Sequence, residues 1–318
     1  MRLSAPRYLM LLAMLFPLFW LAASAASYFL AVTKCDGRQG AADAYIAYCQ
    51  DRAYGDFEHA AFFFGLERVP AALAETKVLF LGNSKLQYAF SRDNVAPFFA
   101  ERGVPFFVMG FGHGEQSRFP QLVLERHPAQ PVLAVINVDP FFTDGITQPA
   151  AFPLQHPVAG RIDATFKSLM QRPRAWLCRR DPTLGLCAGE PALMRSRATG
   201  QWHVSAFRQG AEPTLPLPPP ATVDDDEIDR WFTRALEIAP AFLETLHARC
   251  VVLTAVPSAA GDRAARRLAN HLGVPFIAPE IDGLATIDGV HLDARSGIAW
   301  SDAFLRALDP VGRECGAW

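Results

Sequence analysis

One stretch decides the fold of this chain: residues 78–84, Val-Leu-Phe-Leu-Gly-Asn-Ser. An uninterrupted apolar run that ends at a glycine is typical of a strand buried on both faces of a parallel sheet. The Gly-Asn-Ser at its end predicts a tight turn that presents the hydroxyl of Ser84 at the carboxyl edge of this sheet. Open α/β folds bind their ligands at that edge, so we expect Ser84 to lie in a functional site.

The same kind of strand recurs along the chain, and helical patterns lie between the strands. Short apolar runs predict further strands over residues 105–109, 131–138, 251–256 and 275–277. Strands that alternate with helices indicate an α/β domain with a central parallel sheet covered on both faces. The interval between the third and fourth strands is too long for a simple connection. We therefore predict an insertion subdomain beside the site, at about residues 144–222.

The N-terminus indicates where the domain is located. Residues 8–32 are almost wholly apolar and carry no charge, which is enough for a helix to cross a bilayer core of about 30 Å. Arg2 and Arg7 precede this run and favour a cytoplasmic N-terminus. The alternative is a signal peptide cleaved at the small residues 23–25. Both interpretations send the rest of the chain across the membrane, so we expect a bacterial inner-membrane anchor and a periplasmic domain.

Three parts of the chain follow from these patterns. Residues 1–33 are the predicted transmembrane anchor, and residues 76–318 are the predicted α/β domain with its insertion. Residues 34–75 join the two. Their composition predicts a mostly helical juxtamembrane region, with helices over residues 41–53 and 59–73.

The cysteines agree with a location outside the cytoplasm. There are six, and an even number in an oxidising compartment indicates disulfide bonds. No Cys-x-x-Cys pair occurs, and no histidine completes a zinc-binding spacing. Six cysteines allow fifteen pairings. Proximity in the sequence favours the first two of the following pairs and leaves the third: Cys35–Cys49, Cys178–Cys187 and Cys250–Cys315.

Charge and motifs exclude several classes of function. The net charge is −2 and the isoelectric point is about 6.4, and no long basic run appears, so a nucleic-acid partner is not expected. The sequence contains no phosphate-binding loop, dinucleotide fingerprint or cluster of metal ligands. We therefore predict neither a cofactor nor a metal.

A second motif lies more than two hundred residues after Ser84. Asp288-Gly289-Val290-His291 places an aspartate three residues before a histidine, just ahead of a predicted helix. A serine hydroxyl becomes a nucleophile when a base accepts its proton and a third group orients that base. Ser84, His291 and Asp288 could fill these three roles. The backbone N–H of Ser84 and the glycine-rich turn that ends at Gly114 are candidate donors to an oxyanion.

Together, these motifs resemble the SGNH (GDSL-like) hydrolase superfamily over roughly residues 76–142 and 250–310. Residues 79–84 look like its first block, with Asn83 where the family usually has aspartate. Residues 107–114 are similar to its second block, whose glycine falls on Gly114, and residues 288–291 match its last block. The resemblance implies a flavodoxin-like three-layer α/β/α domain in which Ser84, Asp288 and His291 form the catalytic triad.

The third block departs from the family pattern. The family usually has Gly-x-Asn-Asp after the third strand, whereas residues 135–142 here read Val-Ile-Asn-Val-Asp-Pro-Phe-Phe and lack the glycine. Asn137 is the candidate oxyanion donor of this block. Its alternative role is to cap the edge of the sheet. His113, in the second-block turn, is a candidate pocket residue, and its alternative is a solvated loop histidine.

The expected function is that of a membrane-anchored serine esterase or O-acyltransferase. It would act through an acyl-serine intermediate on the acyl groups of a cell-surface or periplasmic glycan, and acetyl is the acyl group expected. The alternative is a catalytically silent scaffold of a membrane complex that makes or modifies polysaccharide. The architecture also resembles the accessory proteins of cell-surface polymer modification, which implies a membrane-bound O-acyltransferase or a polysaccharide synthase as partner. An acylated glycan or acyl donor and the inner membrane complete the expected partners.

Overall fold

The computed structural model describes residues 5–38, 42–139, 141–203, 214–221 and 224–318. Parts of the predicted anchor, of the predicted helix over residues 41–53 and of the predicted insertion lie outside these described residues. The segments concerned are residues 1–4, 39–41, 204–213 and 222.

The described residues form a mixed α/β protein built around a parallel sheet of four strands. The strands are β1 Ala44–Cys49, β2 Val78–Asn83, β3 Phe106–Phe111, β4 Leu133–Asn137, β5 Ala192–Ser196, β6 Trp202–His203, β7 Leu215–Pro216, β8 Cys250–Thr254 and β9 Ala285–Thr286. The central sheet has the order β3-β2-β4-β8, and its neighbours are all parallel. This confirms the predicted central parallel sheet.

Helices cover this sheet and extend to the N-terminus. They are α1 Ala5–Thr33, α2 Glu58–Phe64, α3 Val69–Glu75, α4 Ser84–Phe90, α5 Val95–Ala100, α6 Arg118–Arg126, α7 Gln148–Gln155, α8 Pro157–Arg180, α9 Asp225–Leu246, α10 Arg263–Leu272 and α11 Ala294–Cys315. A short 3-10 turn spans Gly185–Cys187.

The two faces of the central sheet pack into two separate hydrophobic layers. Successive side chains of a strand point to opposite faces, so Leu79 and Leu81 of β2 lie in one layer, with α2, α3, α6, α9 and α10. Val78 and Phe80 lie in the other layer, with α4, α5 and α11. This double burial explains why β2 is an unbroken apolar run rather than an alternating one.

The predicted fifth strand over residues 275–277 is reduced to one bridge. Leu253 of β8 forms a parallel bridge with Phe276, and its N–H donates to the carbonyl of Pro275 at 3.0 Å. Pro275 has no N–H to give to a ladder, so a proline at this place limits the pairing to an edge contact. The prediction of a full strand here was wrong.

The prediction of a helix over residues 41–53 was also wrong. Ala44–Cys49 form β1, which pairs antiparallel with β5, and β5 pairs with β6. Two tyrosines and an isoleucine favour a strand once a partner covers them, and that partner comes from about 150 residues later. Over residues 59–73, two short helices replace the predicted one, because the backbone turns left-handed at Gly65, Glu67 and Arg68.

The N-terminal helix and the disulfide bonds agree with an extracytoplasmic domain. Among the described residues, the helix long and apolar enough to span a membrane is Leu12–Thr33, with a mean hydropathy of 1.7. The structure contains the disulfides Cys35–Cys49 and Cys178–Cys187, which sequence proximity favours, and Cys250–Cys315, the pair that these two leave. Disulfides persist in oxidising compartments.

Candidate active site

Ser84 lies at the first position of α4, directly after β2. Asn83 makes this abrupt change from strand to helix possible, because its side-chain oxygen accepts the N–H of Lys85 at 3.0 Å and so caps the helix. The amide of Asn83 also donates to the carbonyl of Asp139 at 2.6 Å, which ties the turn to the end of β4. At Gly82, a Cβ would lie 3.0 Å from the Cβ atoms of Asn137 and Leu86, so any larger residue would force these neighbours to shift.

The structure brings the three residues of the two sequence motifs together. Nε2 of His291 lies 2.8 Å from Oγ of Ser84, although the two residues are 207 positions apart. Nδ1 of His291 lies 2.7 Å from Oδ2 of Asp288. The other carboxylate oxygen of Asp288 accepts the backbone N–H groups of Val290 and His291, at 3.0 and 2.8 Å. The loop thus holds both partners in one hydrogen-bonded line that ends at the serine.

The electrostatics suit an ionised aspartate that orients the histidine. Burial alone would raise the pKa of Asp288, but the hydrogen bonds from the ring and the backbone of His291 outweigh it and hold this pKa below its usual range. An ionised Asp288 accepts the Nδ1 proton, which leaves the lone pair of Nε2 directed at Ser84. The ring of Tyr88 packs over the imidazole, with centroids 4.4 Å apart.

A cavity of about 240 Å³ opens at Ser84 and His291. Its walls come from six parts of the chain: β1, the segment that begins α2, the start of α4, the turn after β3, the β5–β6 hairpin of the predicted insertion, and the loop before α11. Among the described residues, those that line it are Tyr48, Asp56, Glu58, Ser84, Tyr88, Gly112, His113, Leu193, Trp202 and His291.

The structure places the three predicted oxyanion or substrate-binding residues, His113, Gly114 and Asn137, differently relative to the cavity. His113 lines the cavity, as predicted, with a left-handed backbone (φ +59°) and with Nε2 3.5 Å from Asp56. Gly114 also has a left-handed backbone (φ +69°), but neither it nor Asn137 is among the described residues that line the cavity. Asn137 is fully buried, and its side-chain oxygen accepts the N–H of Val256 at 2.9 Å. An oxyanion role for Gly114 or Asn137 stays a prediction.

Sequence reasoning missed a buried ion pair behind the cavity wall. Glu58 and Arg195 are both buried, with 2.8 Å between Oε2 and Nη1. Glu58 also accepts the indole N–H of Trp202 at 3.1 Å and the N–H of Gly112 at 3.2 Å. The guanidinium of Arg195 donates to two backbone carbonyls of β3, those of Val108 and Gly110. The sequence feature that could have indicated this ion pair is Arg195, an arginine at the end of the apolar run of residues 192–194 in β5.

A neighbouring buried cluster contains the residue types that bind metals. The ligand atoms of Asp56, Glu58 and His59 lie within 4.8 Å of one another. However, both ring nitrogens of His59 face carboxylates: Nδ1 lies 2.9 Å from Asp56, and Nε2 lies 3.3 Å from Glu115. Burial alone would lower the pKa of His59, but these carboxylates raise it to about 10. A protonated His59 can donate to a carboxylate from each ring nitrogen, and we therefore call this cluster a charge network.

This network predicts a loss of stability at alkaline pH. Because the pKa of His59 rises to about 10 in the folded protein, its contribution is complete below the unfolded value of about 6.5 and is lost as the pH rises through about 10. Thermal melts followed by circular dichroism should therefore show a falling midpoint over this range. In His59→Gln the midpoint should be lower at neutral pH and should depend less on pH.

The matched control is His127→Gln. His127 is a part-buried histidine whose pKa is lowered, chiefly by burial, so it carries no positive charge over this range and its removal should leave the slope between pH 7 and pH 10 as in the wild type. If the melting midpoint of His59→Gln fell with rising pH as steeply as that of the wild type, the positive charge assigned to His59 would be wrong.

The arrangement is thus a serine hydroxyl, an oriented imidazole and a carboxylate, placed at the mouth of a small cavity on the carboxyl edge of a parallel sheet. Such a set can accept and return a proton while the serine oxygen forms and breaks a bond to carbon. Asp56 and Glu58 also line this cavity, and Arg195 forms an ion pair with Glu58. Comparisons with protein-family models, with curated proteins and with solved structures found no match to this chain.

Proposed function

We propose that this protein is a membrane-anchored serine esterase or O-acyltransferase of the SGNH type. One observation carries the proposal: His291 stands within hydrogen-bond distance of both Ser84 and Asp288, at 2.8 and 2.7 Å. The hydroxyl, the imidazole and the carboxylate therefore have the geometry that an acyl-serine mechanism needs.

The order of the strands supports the SGNH resemblance. Counted within the domain, β2, β3, β4 and β8 are the first to fourth strands, and their spatial order is second, first, third, fourth. This order agrees with the flavodoxin-like doubly wound fold, in which ligands bind at the carboxyl ends of the first and third strands, where the winding reverses. Ser84 directly follows the first of these strands.

In the proposed mechanism, Oγ of Ser84 attacks the carbonyl carbon of an ester while its proton passes to Nε2 of His291. The tetrahedral oxyanion collapses, the alcohol leaves with that proton, and an acyl-Ser84 remains. Water or a sugar hydroxyl then gives its proton to Nε2 of His291 and attacks the acyl carbon. The bond between this carbon and Oγ of Ser84 breaks, the imidazolium returns its proton to Oγ, and a carboxylic acid or a new ester is released. Asp288 stabilises the imidazolium in both steps. The N–H of Ser84 is the candidate oxyanion donor.

The cavity favours a short acyl group on a glycan. Its volume of about 240 Å³ is below the range of about 300–1,000 Å³ of pockets that bury drug-sized ligands. Tyr48 and Trp202 offer the aromatic surface that can pack against a sugar ring. An exported domain on a membrane anchor would meet acylated glycans in the periplasm. A membrane-bound O-acyltransferase or a polysaccharide synthase is the proposed partner there.

The test is covalent labelling with a fluorophosphonate, which reacts with an activated serine. We expect one label, on Ser84, and we expect none in Ser84→Ala or His291→Ala. Ser258→Ala is the matched control, because Ser258 lies at the same sheet edge but donates its hydroxyl to Asp139 at 2.6 Å instead of to a histidine. Label on a serine other than Ser84, or label retained in Ser84→Ala, would contradict the proposal.

A catalytically silent scaffold is the second candidate, and the position of Asn137 favours it. Asn137 is not among the described residues that line the cavity. Its side-chain oxygen accepts the N–H of Val256, and its buried Nδ2 has no hydrogen-bond partner in the part of the chain that the structure describes. The site would then lack the third-block donor that SGNH enzymes use. Absence of labelling, together with co-purification of a membrane acyltransferase or synthase, would support this alternative.

A further inference from the structure

Helix α8 exposes an apolar stripe that the described residues of the protein leave uncovered. Spacings of four and seven residues place its members on one face of the helix. They are Val158, Ile162, Leu169 and Trp176, which are 72, 48, 49 and 53% exposed. The opposite face is buried in the domain and contains Gly160, Ala164, Gln171 and Cys178. A soluble surface helix would place polar residues where this stripe lies.

Arginines border the stripe. Arg161, Arg172 and Arg179 follow one another at spacings of eleven and seven residues, so they form a line along one side of it, and all three are exposed. Arg180, also exposed, lies with its guanidinium 5.3 Å from the ring centroid of Trp176. The acidic residue of α8, Asp163, pairs with Lys167. The exposed side of the helix is therefore apolar in the middle and positively charged at its border.

The stripe lies beside the helix that can span a membrane. The ring of Tyr28, near the end of α1, stacks on Phe166 of α8 with centroids 5.0 Å apart. Val32, one turn later in α1, is fully buried. A tyrosine close to the end of an apolar helix, and tryptophan and arginine next to it, are the residues that membrane–water interfaces favour.

We propose that α8 is an interfacial helix that lies on the surface of the bilayer into which α1 inserts. The stripe enters the boundary between headgroups and acyl chains, and the arginines bind the phosphates of anionic lipids. The disulfide Cys178–Cys187 joins the end of α8 to the segment that leads into β5, and β5 carries Leu193, which lines the cavity. Seating α8 on the membrane would thus hold the cavity at a set height and orientation above it.

Photo-crosslinking from lipid tests this proposal on the full chain. The protein is placed in nanodiscs of phosphatidylcholine and phosphatidylglycerol that include a phospholipid with a diazirine on its acyl chain, and adducts are located by mass spectrometry. We expect adducts in α1 and in peptides of α8. Ile298 of α11, an exposed apolar residue that is 38% accessible, is the matched control and should carry none. Adducts in α1 alone would overturn the proposal and leave the stripe as a contact surface for another protein.

Two sets of substitutions separate the apolar and charged parts of the contact. In Ile162→Asp with Leu169→Asp, adducts in α8 should fall by about fivefold or more, because carboxylates among acyl chains are disfavoured, while those in α1 stay constant. Both side chains are exposed, so the fold should persist. Replacement of Arg161, Arg172 and Arg179 by glutamine should remove the dependence of α8 adducts on phosphatidylglycerol. Adducts unchanged in both variants would also overturn the proposal.

Discussion

Ser84→Ala should lower kcat for hydrolysis of a chromogenic acetyl ester by at least about 10³-fold, with little change in KM. The reason is that the hydroxyl forms the bond to the acyl carbon, whereas the cavity walls that hold the substrate stay in place. His291→Ala should cost a similar factor, since Nε2 of His291, 2.8 Å from the serine oxygen, is the group that accepts its proton.

The sharper expectation concerns the double variant. Residues that act as one unit lose their function together, so Ser84→Ala combined with His291→Ala should be about as slow as either single variant. His271→Ala, which removes an exposed histidine of α10, is the control and should keep full activity. If the two single losses multiplied in the double variant, Ser84 and His291 would be acting independently, and the proposed acyl-serine mechanism would be wrong.

Arg195→Met should destabilise the protein by about 3–5 kcal/mol, which is the usual cost of removing one partner from a buried ion pair. Arg195 is fully buried, and its loss would leave the carboxylate of Glu58 without its counterion at 2.8 Å. The same carboxylate holds the indole of Trp202, so the cavity wall should loosen as well. The measurement is the midpoint of chemical denaturation in detergent.

Two further variants separate this cause from a simple loss of packing. Glu58→Gln added to Arg195→Met removes the stranded charge and should recover part of the lost stability. Arg313→Met breaks a surface pair with Asp309, in which the arginine side chain is 67% exposed, and should cost less than about 1 kcal/mol. If Arg195→Met were as mild as Arg313→Met, the buried pair would not be an essential support of this wall.

Several elements could be predicted from the sequence because their signals are local. An apolar run that must be buried on both faces marks β2, and a Gly-Asn-Ser at its end marks the turn into α4. The Asp-x-x-His spacing predicts the contact between Asp288 and His291, because one short loop determines it. The short disulfides Cys35–Cys49 and Cys178–Cys187 also follow from proximity.

Other elements could not be predicted, because their partners are distant in the chain. Residues 44–49 form a strand because they pair with β5, which lies more than 140 residues later in the chain. A helix-forming composition is a weak signal, and tertiary pairing overrides it. The role of Glu58 likewise depends on Arg195, which is 137 positions away. The place of Asn137 after the third strand predicts an oxyanion donor, and only the fold shows that its side-chain oxygen accepts the N–H of Val256.

By itself, the sequence determined the parallel sheet, the apolar N-terminal helix, the two short cysteine pairs and the identity of the serine, histidine and aspartate that come together. These follow from hydrophobic runs, turn residues and spacing, which act over a few positions. Only the tertiary structure decided that the 2.8 Å contact between Ser84 and His291 forms, and that β1, β5 and β6 wall the cavity around it. The physical reason is that a cavity is made of surfaces from distant segments, and their mutual fit depends on the packing of the whole domain.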